Sequence, residues 1–196
     1  MNELNTNNNE KLNKTERKPA VFLDRDGTLI EEVNFLHRVE DLKFFSFTNE
    51  AVKLLKEKGF LVIIVTNQSG IGRKIYTEKQ MHEIHEAIQS KLTKSIDAFY
   101  FCPHLPTDGC RCRKPNPGMI EAACADFSID LENSWVIGDK ALDVELGQNV
   151  NLQTALVMTG YGRKDLNKLS KSPHLTTENL LEAVYKIINF NGSDAN

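Results

Sequence analysis

From Ala20 onward, short apolar runs alternate with amphipathic stretches. Ala20-Val21-Phe22-Leu23 is a continuous apolar run that stops at charged residues, as a buried strand does. Phe60-Leu61-Val62-Ile63-Ile64-Val65 is longer and β-branched, the signature of a parallel strand covered on both faces. Asp97 to Phe101, Ser134 to Ile137 and Gln153 to Met158 read as further strands. Between them the apolar period changes to that of a helix. Thr48 is a candidate N-cap and Gly59 a stop, with Ala51, Val52, Leu54 and Leu55 as the buried stripe. Thr77 and Gln80 form a capping box before Met81, Ile84, His85, Ile88 and Leu92, with His85 expected to be half-buried. Pro117-Gly118-Met119 opens a helix to about Phe127, whose apolar face takes Cys124 into the core. A short helix is expected over Asp143 to Leu146 and a last amphipathic one over Glu178 to Ile188. Strand–helix alternation of this kind predicts an α/β fold, a Rossmann-like three-layer sandwich with a parallel sheet.

The polar segment Met1 to Lys18 departs from this pattern and is expected to be a disordered tail. The remainder, 19–190, suits one domain without a large cap insert, hence a monomer with an open site. A net charge of −3 with mixed signs offers no basic stripe for nucleic acid. No apolar run reaches membrane-spanning length, and no signal segment opens the chain. A cytoplasmic location is therefore expected, where the four cysteines are metal ligands or core thiols rather than disulfides.

Polar clusters follow the apolar runs. Asp24-Arg25-Asp26-Gly27-Thr28 ends the first strand, and in extended chain its two aspartates would lean to one side. Thr66-Asn67-Gln68-Ser69-Gly70-Ile71-Gly72-Arg73 ends the second. Arg113-Lys114 follows the Cys-rich loop, and Gly138-Asp139-Lys140 with Asp143 ends the Trp135 strand. A parallel sheet sets the C-terminal ends of its strands along one edge, so the clusters converge. Asp24, Asp139 and Asp143 suit a hard cation such as Mg²⁺. The Thr66 hydroxyl and Lys114 suit phosphate oxygens. Such a site binds and activates a phosphoryl group, with one carboxylate as nucleophile and Asp26 as acid/base. Spacing does not say which carboxylate attacks. Glu31 to Phe47 is a long irregular stretch able to fold over a substrate as a flap.

Cys102, His104, Cys110 and Cys112 fall within eleven residues. Thiolates and one imidazole in a closed loop fit a tetrahedral structural Zn²⁺. With no open position this metal would pin the loop 102–112 and so place Arg113 and Lys114.

The Asp24–Thr28 pentapeptide, Thr66, Lys114 and Gly138-Asp139…Asp143 resemble the four motifs of the haloacid dehalogenase superfamily of phosphatases. The resemblance implies Asp24 as nucleophile and Asp26 as general acid/base. It implies Mg²⁺ on Asp24, the Asp26 carbonyl and Asp139, with Asp143 behind. The zinc loop followed by Cys112-Arg113-Lys114-Pro115 is similar to the group of D-glycero-D-manno-heptose 1,7-bisphosphate and histidinol-phosphate phosphatases. Ser69, where the histidinol enzymes usually carry Asp, favours the heptose side, as do Pro117-Gly118-Met119 and Thr159-Gly160-Tyr161-Gly162. Substrate contacts implied are Asp24, Arg25, Asp26, Glu32, Val33, Asn34, Phe35, Thr66, Asn67, Gln68, Ser69, Arg113, Lys114 and Lys140. Arg113 would recognise the part of the substrate that is not transferred. Phe35 stands where the heptose enzymes often carry Tyr, and Gly72-Arg73-Lys74 and Gln148 to Asn151 also depart from that group. The implied activity is hydrolysis of the 7-phosphate of a heptose bisphosphate through an aspartyl-phosphate, in nucleotide-activated heptose synthesis for lipopolysaccharide core. Histidinol phosphate is the alternative substrate. A non-catalytic, receiver-like phospho-binding module is the alternative of a different class, and it would need neither Asp26 as acid/base nor Lys114.

Overall fold

The computed structural model describes residues 17–93 and 95–190. The expected tail lies outside the described residues as far as position 16, and its last residue, Lys18, already opens the first strand. Six strands form one parallel sheet: β1 (Lys18–Leu23), β2 (Leu61–Asn67), β3 (Ala98–Cys102), β4 (Ile129–Gly138), β5 (Gln153–Val157) and β6 (Leu175–Thr177). Their spatial order is β3-β2-β1-β4-β5-β6. The chain builds outward from β1 to β3, then returns to the other side of β1 with β4. The crevice between β1 and β4 is thus the point where strand order reverses.

Helices α1 (Thr48–Glu57), α3 (Glu78–Lys91) and α7 (Leu180–Ile188) cover one face, and α4 (Gly118–Asp126) and α5 (Ala141–Asn149) the other. The short helices α2 (Ser69–Gly72) and α6 (Gly162–Asp165) lie in loops after β2 and β5. Alternate residues of β1 divide between the two cores. Val21 and Leu23 join one, Ala20 and Phe22 the other. Val62, Ile63, Ile64 and Val65 in β2 are fully buried, each worth about 1.5–3 kcal/mol.

Several boundaries differ from the sequence reading. Thr48 does not cap α1, because its hydroxyl donates instead to the Leu29 carbonyl at 2.7 Å. The Thr77/Gln80 capping box forms as expected. His85 is buried rather than half-buried, with its ring 4.5 Å from that of Phe99. Cys124 faces solvent, not the core, because α4 turns Met119, Ile120 and Ala123 inward. β4 begins at Ile129, ahead of the apolar run, and β6 is too short and polar for its pattern to stand out.

Candidate active site

β1 ends at Leu23, and the Asp24 amide still donates to the Ile137 carbonyl of β4 at 2.9 Å. Asp24 therefore sits on the sheet edge at the crevice. Gly27 then adopts φ +83°, a left-handed turn that reverses the chain. A Cβ at Gly27 would stand 2.2 Å from Asp139 Oδ2, and one at Gly160 2.1 Å from the same oxygen. Both loops thus close tightly around the Asp139 carboxylate.

Asp24, Asp139 and Asp143 present oxygens within 4.8 Å of one another, and all three residues are buried. Lys114 Nζ reaches Asp24 Oδ1 at 2.9 Å and Asp143 Oδ1 at 2.6 Å, and donates to the Val65 carbonyl at 2.9 Å. Lys140 Nζ is 3.7 Å from Asp24 Oδ2 and 3.8 Å from Asp139 Oδ1. The Tyr161 amide donates to Asp139 Oδ2 at 2.7 Å, but Asp139 Oδ1 has no hydrogen-bond partner. Burial works to raise the Asp24 carboxyl, but Lys114 and Lys140 outweigh it and hold the group low. Asp139 is less well served: burial, with Asp24 and Asp143 beside it, pushes its carboxyl up to about 8 despite Lys140. Asp143 rises to about 6 for the same first reason, with Lys114 opposing. Fully ionised, the three carboxylates would carry more negative charge than Lys114 and Lys140 neutralise. A hard divalent cation fits that deficit, and the orphaned Asp139 oxygen is a ready ligand.

The Asp26 carboxylate is not part of that trio and has partners of its own. Arg25 grips it with Nε to Oδ2 and Nη2 to Oδ1, both at 3.0 Å. Gln68 Nε2 adds a bond to Oδ2 at 2.9 Å and another to Thr66 Oγ1 at 2.8 Å. Arg25, only 1% exposed, meets Asp26 and Gln68 rather than solvent. Asn67 spends its amide on the Lys114 backbone, accepting from its N–H at 3.1 Å and donating to its carbonyl at 3.3 Å. The Thr28 hydroxyl is buried without a partner.

Val33, Asn34, Phe35 and Ser69 line an open cleft beside Asp26. Glu32, on the same stretch, pairs with Lys140 at 3.0 Å and so ties the flap to the loop after β4. Phe35 is held at φ +56°, an uncommon conformation for a bulky residue. Arg113 lines a second cleft with Lys114 and donates to the His104 carbonyl at 3.3 Å. Two aromatic residues without a role in the sequence reading also stand here. Tyr161 places its ring 5.2 Å below Lys140 Nζ. Tyr76 lines the first cleft, and its hydroxyl donates to Gln68 Oε1. Tyr76 follows a loop with no motif. Tyr161 sits inside a glycine turn already noted, which was its one signal.

Cys102, at the end of β3, and His104, Cys110 and Cys112 bring their donor atoms together. His104 Nδ1 lies 3.6 Å from the Cys102 sulfur and 3.2 Å from that of Cys112; both other cysteines are 3.5 Å from Cys110. All four can serve one metal ion. Burial pushes the Cys102 thiol up to about 12, so proton loss and metal uptake would be coupled there.

This geometry has close counterparts. The D-glycero-D-manno-heptose-1,7-bisphosphate 7-phosphatase of Thermosynechococcus vestitus is 39% identical over 184 residues, covering 85% of this chain and 94% of the relative. The chain belongs to the HAD-like hydrolases. A HAD-hydrolase-like family model matches residues 111–183 of this HAD-like hydrolase. The D-glycero-beta-D-manno-heptose-1,7-bisphosphate 7-phosphatase of Haemophilus ducreyi is 38% identical, covering 73% of the chain and 85% of that protein. Among solved structures, the D,D-heptose 1,7-bisphosphate phosphatase from B. bronchiseptica, complexed with magnesium and phosphate, superposes with a TM-score of 0.81. It is 28% identical, and the match covers 87% of this chain and 98% of that one. With these relatives, this HAD-like hydrolase is an enzyme, a phosphoric monoester hydrolase.

Proposed function

We propose that the enzyme removes the 7-phosphate of D-glycero-D-manno-heptose 1,7-bisphosphate. The observation that carries this reading is the buried trio of Asp24, Asp139 and Asp143 around Lys114, in a chain whose relatives bear that substrate in their names. Asp24 is the nucleophile. Its low pKa keeps it ionised, and Lys114 fixes one of its oxygens. In the first step an Asp24 oxygen bonds to phosphorus, the bond from phosphorus to the sugar oxygen breaks, and Asp26 gives that oxygen a proton. In the second step Asp26 takes a proton from water, the water oxygen bonds to phosphorus, and the bond to Asp24 breaks. Thr66 and Lys114 hold the phosphoryl oxygens. Asp24, the Asp26 carbonyl and Asp139 would hold Mg²⁺, with Asp143 behind them. When bound, the ion supplies positive charge against the repulsion between two anionic reactants.

Glu32, Val33, Asn34 and Phe35 face the substrate from the flap. Ser69, Arg113 and Lys140 recognise its non-transferred part. Asn67 and Gln68 act chiefly by holding Lys114 and Asp26, which is where their amides are spent. Cys102, His104, Cys110 and Cys112 bind a structural Zn²⁺. The enzyme acts as a monomer in the cytoplasm.

Phosphate release with Mg²⁺ from both anomers of the heptose bisphosphate, from histidinol phosphate and from p-nitrophenyl phosphate tests the substrate. A strong preference for one heptose anomer is expected and would place the enzyme in one branch of heptose activation. Preference for histidinol phosphate would refute the substrate while keeping the chemistry.

A further inference from the structure

Among the described residues, the hydrogen-bond chain around Asp26 runs through Gln68 to a tyrosine that belongs to no motif. We propose that Tyr76 is a positioning residue for the Asp26 carboxyl, acting through the amide of Gln68; the inference rests on the phosphatase reading above.

Gln68 can assist Asp26 with one end only. Its nitrogen donates to Asp26 Oδ2 at 2.9 Å and to Thr66 Oγ1 at 2.8 Å. Turned by half a rotation, the amide would set its oxygen against the carboxylate. The other end decides the matter, because Gln68 Oε1 accepts from Arg25 Nη2 at 3.1 Å and from the Tyr76 hydroxyl. Arg25 already grips Asp26 with two bonds, so it moves with the carboxylate. Tyr76 is the donor anchored outside that pair. Gln68 is 4% exposed and Tyr76 5%, so water does not readily replace either contact.

The ring itself is held by two neighbours. His37 of the flap stacks on it with centroids 6.1 Å apart and planes 6° from parallel. At Gly70, a Cβ would stand 2.0 Å from Tyr76 Cε1, so the close approach requires glycine there. The ring cannot swing without displacing α2 or the flap.

A sugar alkoxide needs the proton of Asp26 as it leaves, whereas p-nitrophenolate leaves without one. Loosening Gln68 should therefore slow the first bond exchange for alkyl esters and spare the aryl ester. The ratio kcat/KM reports the steps through cleavage of the ester, before water attacks. The test measures kcat/KM of the full chain with Mg²⁺ on heptose 1,7-bisphosphate and on p-nitrophenyl phosphate. Tyr76→Phe should lose about tenfold on the alkyl ester and less than about twofold on the aryl ester. Gly70→Ala, which pushes the same ring, should repeat the asymmetry. Tyr100→Phe, which removes a hydroxyl bonded to Asp126 at 2.6 Å on the surface, is the control with neither rate changed. Equal losses on both esters in Tyr76→Phe would make the tyrosine merely structural and overturn the proposal, as would two unchanged rates. If the wild type fails on the heptose ester, the substrate reading falls instead, and the same ratio is then read with histidinol phosphate, another alkyl ester.

Discussion

At the scale of residues, the site is a problem of charge. Three buried carboxylates face Lys114, which is itself buried, and Lys140 at longer range. Burial lowers the Lys114 ammonium, but Asp143 and Asp24 outweigh it and the net shift is upward. Lys114→Met should therefore both stop turnover and destabilise the fold by about 3–5 kcal/mol, the cost of uncompensated buried charge. Denaturant unfolding without added metal measures this, and a wild-type midpoint in the variant would refute it. His85 carries a second, independent charge effect. Burial pushes its imidazole down to about 3 from an ordinary 6.5. Above pH 6.5 the ring is neutral in both states and stability is complete. As pH falls from 6.5 toward 3, the unfolded chain gains a proton that the folded chain refuses. Stability then drops by about 1.4 kcal/mol per pH unit from this group. His85→Leu should lack that part of the acid slope; parallel curves for variant and wild type between pH 6.5 and 4 would refute the assignment.

At the scale of elements, the convergence of the polar clusters was legible where residue type and spacing coincide with a strand end. Asp24 after β1, Thr66 at the end of β2 and Asp139 after β4 needed only the parallel sheet to bring them to one edge. The four metal-ligand types of the loop after β3 were legible because they lie within eleven residues. What was not legible depends on rotamers and turns. The alternation of a strand does not announce that Asp26 takes Arg25 and Gln68 as its partners. Cys124 has an apolar neighbourhood in sequence, yet the rotation of α4 exposes it. Tyr76 has no periodicity to announce it. The loop after β3 yields its own prediction. Elemental analysis should find one zinc per chain. Removing it with a chelator, or replacing Cys110 by Ser, should lower both Tm and kcat, because Cys112 stands two residues before Lys114. Loss of zinc with unchanged kcat would confine the metal to folding.

At the scale of the whole molecule, one topological reversal organises everything else. Because β1 lies between β2 and β4, its C-terminal end is flanked by both strands, with the crevice on the β4 side. Lys114 spans both sides, bonding to the Val65 carbonyl in β2 and to Asp143 in α5. The flap is tied across the opening by the Glu32–Lys140 pair and by the stack of His37 on Tyr76. We propose that substrate selection falls to the flap, which lines the cleft beside Asp26, and to the metal-binding loop, which lines the second cleft with Arg113. Deleting the flap tie with Glu32→Gln should raise KM for the heptose ester several-fold, about 1 kcal/mol, while kcat/KM for the small aryl ester changes little. Equal changes on both esters would count against flap-based selection. The central claim is that the phosphoryl group passes through Asp24. The direct measurement is acid-quench mass spectrometry during turnover, with the chain digested at low pH. The account predicts one phosphoryl group on the fragment containing Asp24, absent from Asp24→Asn. Turnover with the label on another residue, or turnover undiminished in Asp24→Asn, would contradict it.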